Sequence, residues 1–183
     1  MDKIYMLHAA AQSGKNTCAD KMKEYYENVL NKRVIIIAFA DWVKDCMRRY
    51  YGITEYKTRE GRTAITHFAT DVCRKKDPLV WARVLGSTLL AMEEEWDIAI
   101  IPDWRFENEL DMMEWYFPNK VVKVLITRPD VEEKDNMTEI QRNHISETEL
   151  DNFQNWDYNI INKTGELVNT IEVLINMIKE VEK

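Results

Sequence analysis

Short apolar runs recur along the chain at intervals long enough to hold a helix between them. Ile4 to Leu7 is the first. Arg33-Val34-Ile35-Ile36-Ile37-Ala38-Phe39 is continuously apolar and β-branched, the pattern of a strand covered on both faces of a parallel sheet. Asp97 to Pro102 and Lys120 to Ile126 repeat that character, and Tyr158 to Asn162 resumes it near the end. The segments between them read as helices: one from Thr17 through Tyr26, one from about Asp41 through Tyr51, and one from Glu107 to Tyr116. Arg59 to Met92 is helical and long, and Asp77-Pro78 divides it into two helices, because proline disfavours helix at the residue before it and opens the next. A last amphipathic helix puts Leu167, Ile171, Leu174, Ile175 and Ile178 on one face after a Lys163-Thr164-Gly165 turn. Strands alternating with helices predict right-handed crossovers and a mainly parallel α/β sheet. From Arg128 to Leu150 the chain turns polar and loses its apolar period, which predicts a lid or loop insert at 128–150.

Composition narrows the classes. With 183 residues, 45% hydrophobic and 31% charged, the chain suits one globular domain with one site. A formal charge of −7 argues against a protein that coats a nucleic acid polymer, so any phosphate it holds is held locally by a few placed cations. Cys18, Cys46 and Cys73 are isolated, odd in number and without metal-ligand spacing, the usage of reduced thiols in a cytoplasmic protein. The N-terminal apolar stretch is too short for a signal peptide, and no segment approaches the ~20 apolar residues that cross a bilayer, so no membrane partner is expected.

The sharpest chemistry lies between the first strand and the first helix. Ala9-Ala10-Ala11-Gln12-Ser13-Gly14-Lys15-Asn16-Thr17 sits where a phosphate-binding loop has to sit. Small residues let successive N–H groups turn toward a phosphate, a helix N-terminus adds its positive end, and Lys15 supplies an ammonium. The motif departs from GxxxxGK[ST] at Ala9 and Asn16, with Thr17 one place late. A second cluster, Asp103-Trp104-Arg105-Phe106-Glu107-Asn108-Glu109, follows a strand at the carboxyl edge where open α/β sheets present reactive groups. Asp103 there either orients magnesium or caps the next helix, and Arg105 either clamps a phosphate or pairs with Glu109 one turn on. Asp41, after the second strand, is first of all an N-cap and second a candidate for touching an acceptor.

Taken together, these residues resemble the deoxynucleoside monophosphate kinases of bacteriophages and related bacterial sequences, a branch of the P-loop nucleoside monophosphate kinases. The resemblance spans nearly the whole chain. It is carried by the Ser-Gly-Lys-Asn-Thr loop, by Phe39-Ala40-Asp41, by Ala69-Thr70-Asp71-Val72-Cys73-Arg74 with Asp77-Pro78 and Trp81, by the Asp103 to Glu109 cluster and by His144-Ile145-Ser146-Glu147. That family commonly shows Gly-Lys-Asp-Thr in the loop and Asp-Val-Arg-Phe-x-Asn-Glu after the strand, so Asn16 and Trp104 are departures.

The resemblance implies a single P-loop kinase domain over 1–183, in a three-layer fold with a helical acceptor-binding region at about 41–92 and the lid at about 128–150. It implies transfer of the γ-phosphate of ATP, with Mg²⁺ as cofactor, to a nucleoside monophosphate. Lys15, Asp103, Arg105 and Arg142 would be catalytic. Ala11, Gln12, Ser13, Gly14, Lys15, Asn16, Thr17 and Arg128 would bind ATP. Asp41, Arg59, Arg74, Trp81 and Arg105 would hold the acceptor, and Asp103 with Asn16 would face the metal. A homodimer in the cytoplasm, that of a host if the chain is viral, is implied as well. His144 reads as a hydrogen-bonded loop residue. Two other readings stay open on the residues alone: a P-loop kinase of another small phosphorylated metabolite, and a nucleotide-binding protein without turnover, motivated by Ala9 and Asn16.

Overall fold

A computed structural model describes residues 1–10, 13–56, 58–129 and 138–183, the side chain of residue 141 excepted. Five strands, β1 (Lys3–Ala9), β2 (Val34–Ile36), β3 (Ile98–Ile101), β4 (Val121–Thr127) and β5 (Tyr158–Ile161), form one sheet in the order β2-β3-β1-β4-β5. Every pairing is parallel, with Tyr5 opposite Ile100 on one side and Val122 on the other. Parallel neighbours require crossovers, and the central strands β1 and β3 are buried on both faces accordingly, whereas β4, expected to be buried throughout, is buried only at alternate residues and Ile161 of the edge strand β5 is exposed.

One face is closed by α1 (Lys15–Asn28) and α8 (Leu167–Val181), whose Cys18, Met22, Tyr26, Leu174 and Ile178 pack on Leu7, Ile100 and Val124. The other is closed by α4 (Val80–Ala91) and α5 (Glu107–Tyr116), where Leu85, Leu89 and Met113 meet Met6, Ala99, Trp96 and Phe117. A smaller apolar cluster lies under α2 (Ala40–Tyr51) and α3 (Arg59–Thr66), joining Val43, Met47 and Trp81. Three layers result, with the strand C-termini of β1 and β3 opening on the same edge. Among the described residues, no helix is long and apolar enough to cross a membrane, and the three cysteines are unpaired.

Four expectations change. β2 is shorter than the apolar run, because Asp41 takes the N–H of Ala38 and Asp103 takes that of Phe39, turning the chain out of the ladder. Between Arg59 and Met92 the chain makes not two helices but α3, a π-helical stretch His67–Arg74, and α4. Asp41 lies inside α2 rather than capping it. On α8, Leu167 is exposed, while Thr170 and Met177 join Leu174 and Ile178 on the buried face. The described part of the 128–150 insert holds α6 (Glu139–Arg142), α7 (Ile145–Thr148) and a 3₁₀ turn, Glu149–Asn152.

Candidate active site

β1 ends at Ala9 and α1 begins at Lys15, so the chain reverses between a buried strand and a helix N-terminus. Gly14 makes the last step with φ +82°, in the left-handed region that glycine enters at least cost. A Cβ there would also collide with the side-chain amide of Asn162. Ser13 is buried and its hydroxyl donates to Ala10 O (2.8 Å). Ala11 and Gln12 lie outside the described residues. Ala9, at the place of the missing first glycine, is still strand, paired in register with Ile126. Its Cβ is therefore accommodated by the core.

Lys15 lines a cavity of about 410 Å³ with Asn16, Asp20, Asp41, Lys44 and Asp103. Burial, helped by the neighbouring Arg105 charge, pulls its ammonium down to about 8, while Asp103 and Glu147 oppose the shift. Thr17 is exposed on the same first turn.

Asp103, beyond the end of β3, accepts from the N–H groups of Phe39 and Ala40, both at 2.9 Å. It thus caps α2 across the sheet edge, satisfying donors that open a helix. Burial pushes its carboxyl up, and the two amides and Lys15 pull the other way. Asp103 also borders a second cavity, of about 190 Å³, with Phe39, Thr70, Arg74, Arg105 and Glu147 among its lining. With Ala40 it forms the wall shared by the two cavities, with Lys15 on one side and Arg105 on the other.

Arg105 does not pair with Glu109 through its guanidinium. It forms an ion pair with Glu147, the third residue of α7. Glu109 instead accepts from the backbone N–H groups of Arg105 (2.9 Å) and Phe106 (3.1 Å), fixing the start of α5. Its other oxygen pairs with Arg74. The pair is deep, Glu109 1% and Arg74 9% exposed, and burial pushes the Glu109 carboxyl up against the pull of Arg74. Arg74 also donates to Pro78 O (3.1 Å) and lies 4.1 Å from the Phe106 ring centroid. Trp81 borders the same cavity but is largely core, its indole N–H given to Ala69 O (3.1 Å).

The remaining expected residues are spread. Arg128 donates to Thr164 Oγ1 (3.1 Å) and borders a broad cavity of about 690 Å³ with His8, Ser13, Phe153 and Trp156. Asp41 faces the Lys15 cavity, not the one shared by Arg74 and Arg105. Arg59 opens α3 and Arg142 closes α6, both exposed and outside these three linings. His144 caps α7, accepting from Ser146 N (3.2 Å), and approaches Asp71 at 3.7 Å.

Glu147, His8 and Asn162 had no assigned role in the sequence, and Glu109 had one only as a partner for Arg105. Glu109 had a signal, a glutamate at capping-box distance from the residue that opens α5. The others are brought in by tertiary contacts. His8 sits under Trp104 O (3.0 Å), and because a carbonyl only accepts, Nδ1 carries the proton. Burial lowers its basicity, which keeps the ring neutral.

A resident metal would find few ligands. Among the described residues no group of three His, Cys, Asp or Glu side chains is placed to hold one. The Lys15 cavity does offer Asn16, Asp20, Asp41 and Asp103. That suits Mg²⁺, which keeps most of its waters and is shared with substrate phosphates.

No protein-family model matches the chain, and no curated protein sequence matches it. Among solved structures it is similar to an unliganded sugar kinase from Janibacter sp. HTCC2649, with a TM-score of 0.53 and 14% identity, covering 98% of this chain and 95% of that one. It is also similar to APE1195, with a TM-score of 0.57 and 14% identity, covering 100% and 97%. At that identity the likeness is one of fold. The chain has a three-layer α/β fold with an all-parallel five-stranded sheet.

Proposed function

We propose that the chain is a phosphotransferase of the deoxynucleoside monophosphate kinase type, moving the γ-phosphate of ATP to a nucleoside monophosphate. The observation that carries this reading is Asp103 standing between two cavities, one containing the loop lysine and the other an arginine, as a donor and an acceptor phosphate require. The motifs that resemble that family converge on this junction.

In this reading the triphosphate lies at the N-terminus of α1, where backbone N–H groups and Lys15 meet its charge. Mg²⁺ arriving with ATP would supply charge neutralisation, near Asn16 and Asp103. The acceptor monophosphate enters the Arg105 cavity and takes the place of Glu147 on the guanidinium. Its phosphate oxygen attacks the γ-phosphorus, the bond to the β–γ bridging oxygen breaks, and ADP leaves as the diphosphate forms. No side chain needs to take a proton, so positioning and charge do the work. Arg74, with five N–H donors of which one goes to Pro78 and one to Glu109, borders the cavity as a rigid wall. The lid residues Ser146 and Glu147, moving with the acceptor, exclude water.

A second reading, kinase action on another small phosphorylated metabolite, draws on the cavity's size. About 190 Å³ is below the roughly 300–1,000 Å³ of ordinary ligand pockets. The test is ADP release in Mg-ATP with dAMP, dCMP, dGMP, dTMP, dUMP, their ribose forms and a set of sugar phosphates. Turnover with at least one nucleotide and none of the sugars is expected. Turnover confined to a sugar phosphate would replace the nucleotide reading with the second.

A further inference from the structure

β5 is followed by Asn162, only 6% exposed although it is polar and lies next to a turn. Its three hydrogen-bonding contacts join three separate parts of the chain. The backbone N–H donates to Thr127 O at the end of β4 (2.8 Å). The side-chain N–H donates to Ser13 O in the phosphate-binding loop (2.8 Å). The side-chain oxygen accepts from the Thr170 hydroxyl on α8 (3.2 Å), and Thr170 is itself 1% exposed. A buried amide is retained where its hydrogen bonds are met. Ser13 O, a carbonyl that can only accept, sets which end of the amide is which, and the amide oxygen is left to the Thr170 hydroxyl, whose proton is shared with Glu166 O (3.3 Å).

The consequence follows from peptide geometry. In a trans peptide the C=O and N–H of one unit point in opposite directions. Holding Ser13 O against Asn162 therefore aims the N–H of Gly14, the next residue, away from the buried amide. Gly14 has no Cβ to keep Asn162 at a distance, so the contact and the left-handed φ depend on the same residue. The loop lacks the first glycine of the usual motif, and this anchor lies at its other end.

We infer that Asn162, supported from α8 by Thr170, is a positioning residue for the phosphate-binding loop: it fixes the Ser13–Gly14 peptide so that the Gly14 N–H faces the bound triphosphate. The inference rests on the ATP-binding reading of that loop and adds to it a residue about 150 positions away. Asn162 touches no reacting atom in this account.

The test uses the full chain and calorimetric affinities for Mg-ATP and Mg-tripolyphosphate, with thermal melts alongside. Asn162→Asp keeps the shape but replaces the donor with an acceptor facing Ser13 O. Thr170→Val keeps the shape but removes the hydroxyl, and Thr170→Ser restores it. Asn162→Asp and Thr170→Val are expected to bind both ligands about ten-fold more weakly or worse, the effect of one misplaced hydrogen bond. Thr170→Ser is expected to bind as wild type does. The assignment is overturned if both weak-binding candidates hold tripolyphosphate within about two-fold of wild type, if only the ATP affinity falls, or if Thr170→Ser loses as much as Thr170→Val. Wild type binding neither ligand would remove the kinase reading itself, and this assignment with it; wild type binding both while the variants are unchanged removes this assignment alone.

Discussion

Single side chains at the sheet edge each serve structure and site at once. Asp103 closes the start of α2 with two amide hydrogen bonds while facing both cavities, so Asp103→Asn should weaken turnover and also lower the melting temperature. Lys15 carries a proton that burial makes easier to lose, at about 8 against an ordinary 10.5. A bound triphosphate favours the charged form, so Mg-ATP binding should take up a proton near pH 8 and weaken as pH rises through that value. Calorimetry in buffers of different ionisation heat reads this directly, and Lys15→Met should abolish the dependence. The stability sign is the reverse of a salt bridge. Folding lowers this lysine's pKa, so its charge costs stability below pH 8, and the cost fades between about 8 and 10.5. Lys15→Met should therefore melt above wild type at pH 7 while losing turnover by about a hundred-fold or more. Glu109→Ala would leave the Arg74 charge buried without its partner, a loss of about 3–5 kcal/mol measurable by urea denaturation.

Among elements, the Gly14–Lys15 turn, α2, α5 and the strands were legible because each is announced locally, by an apolar run, a helical period or a glycine before a helix. Glu107 to Tyr116 was read as helix with the bounds that α5 shows. The π-helical stretch His67–Arg74 was not legible, since its sequence is as helical as its neighbours and its contacts, Phe68 with Trp81 and Arg74 with Phe106, are tertiary. Nor could spacing show that Arg105 would meet Glu147, 42 residues on, rather than Glu109 four residues on. That contact ties α7 to the end of β3, and in the proposed kinase it would hold the lid. Glu147→Gln should weaken the tie, and Mg-ATP hydrolysis without acceptor should rise several-fold relative to transfer, read as inorganic phosphate against diphosphate product. An unchanged ratio would detach Glu147 from lid closure.

At the scale of the molecule, one sheet supports two helical faces, and the buried strands β1 and β3 contribute alternate side chains to both. Damage to either face should therefore be felt by the whole. Gly86, on α4, has no room for a Cβ because the Tyr116 ring of α5 lies against it. Gly86→Val should cost about 2 kcal/mol or more through overpacking, with tryptophan fluorescence and far-ultraviolet dichroism falling in one transition. Separate transitions would mean the faces unfold independently. The same sheet brings Lys15 from the end of β1 and Asp103 and Arg105 from the end of β3 to one edge, and that convergence is the central claim. Its most direct test follows the label from γ-³²P-ATP in the presence of each nucleoside monophosphate, with wild type and Lys15→Ala side by side. The account predicts label in a nucleoside diphosphate for wild type and none for the variant. Label that stays in ATP, or passes only to inorganic phosphate with every acceptor, would contradict it.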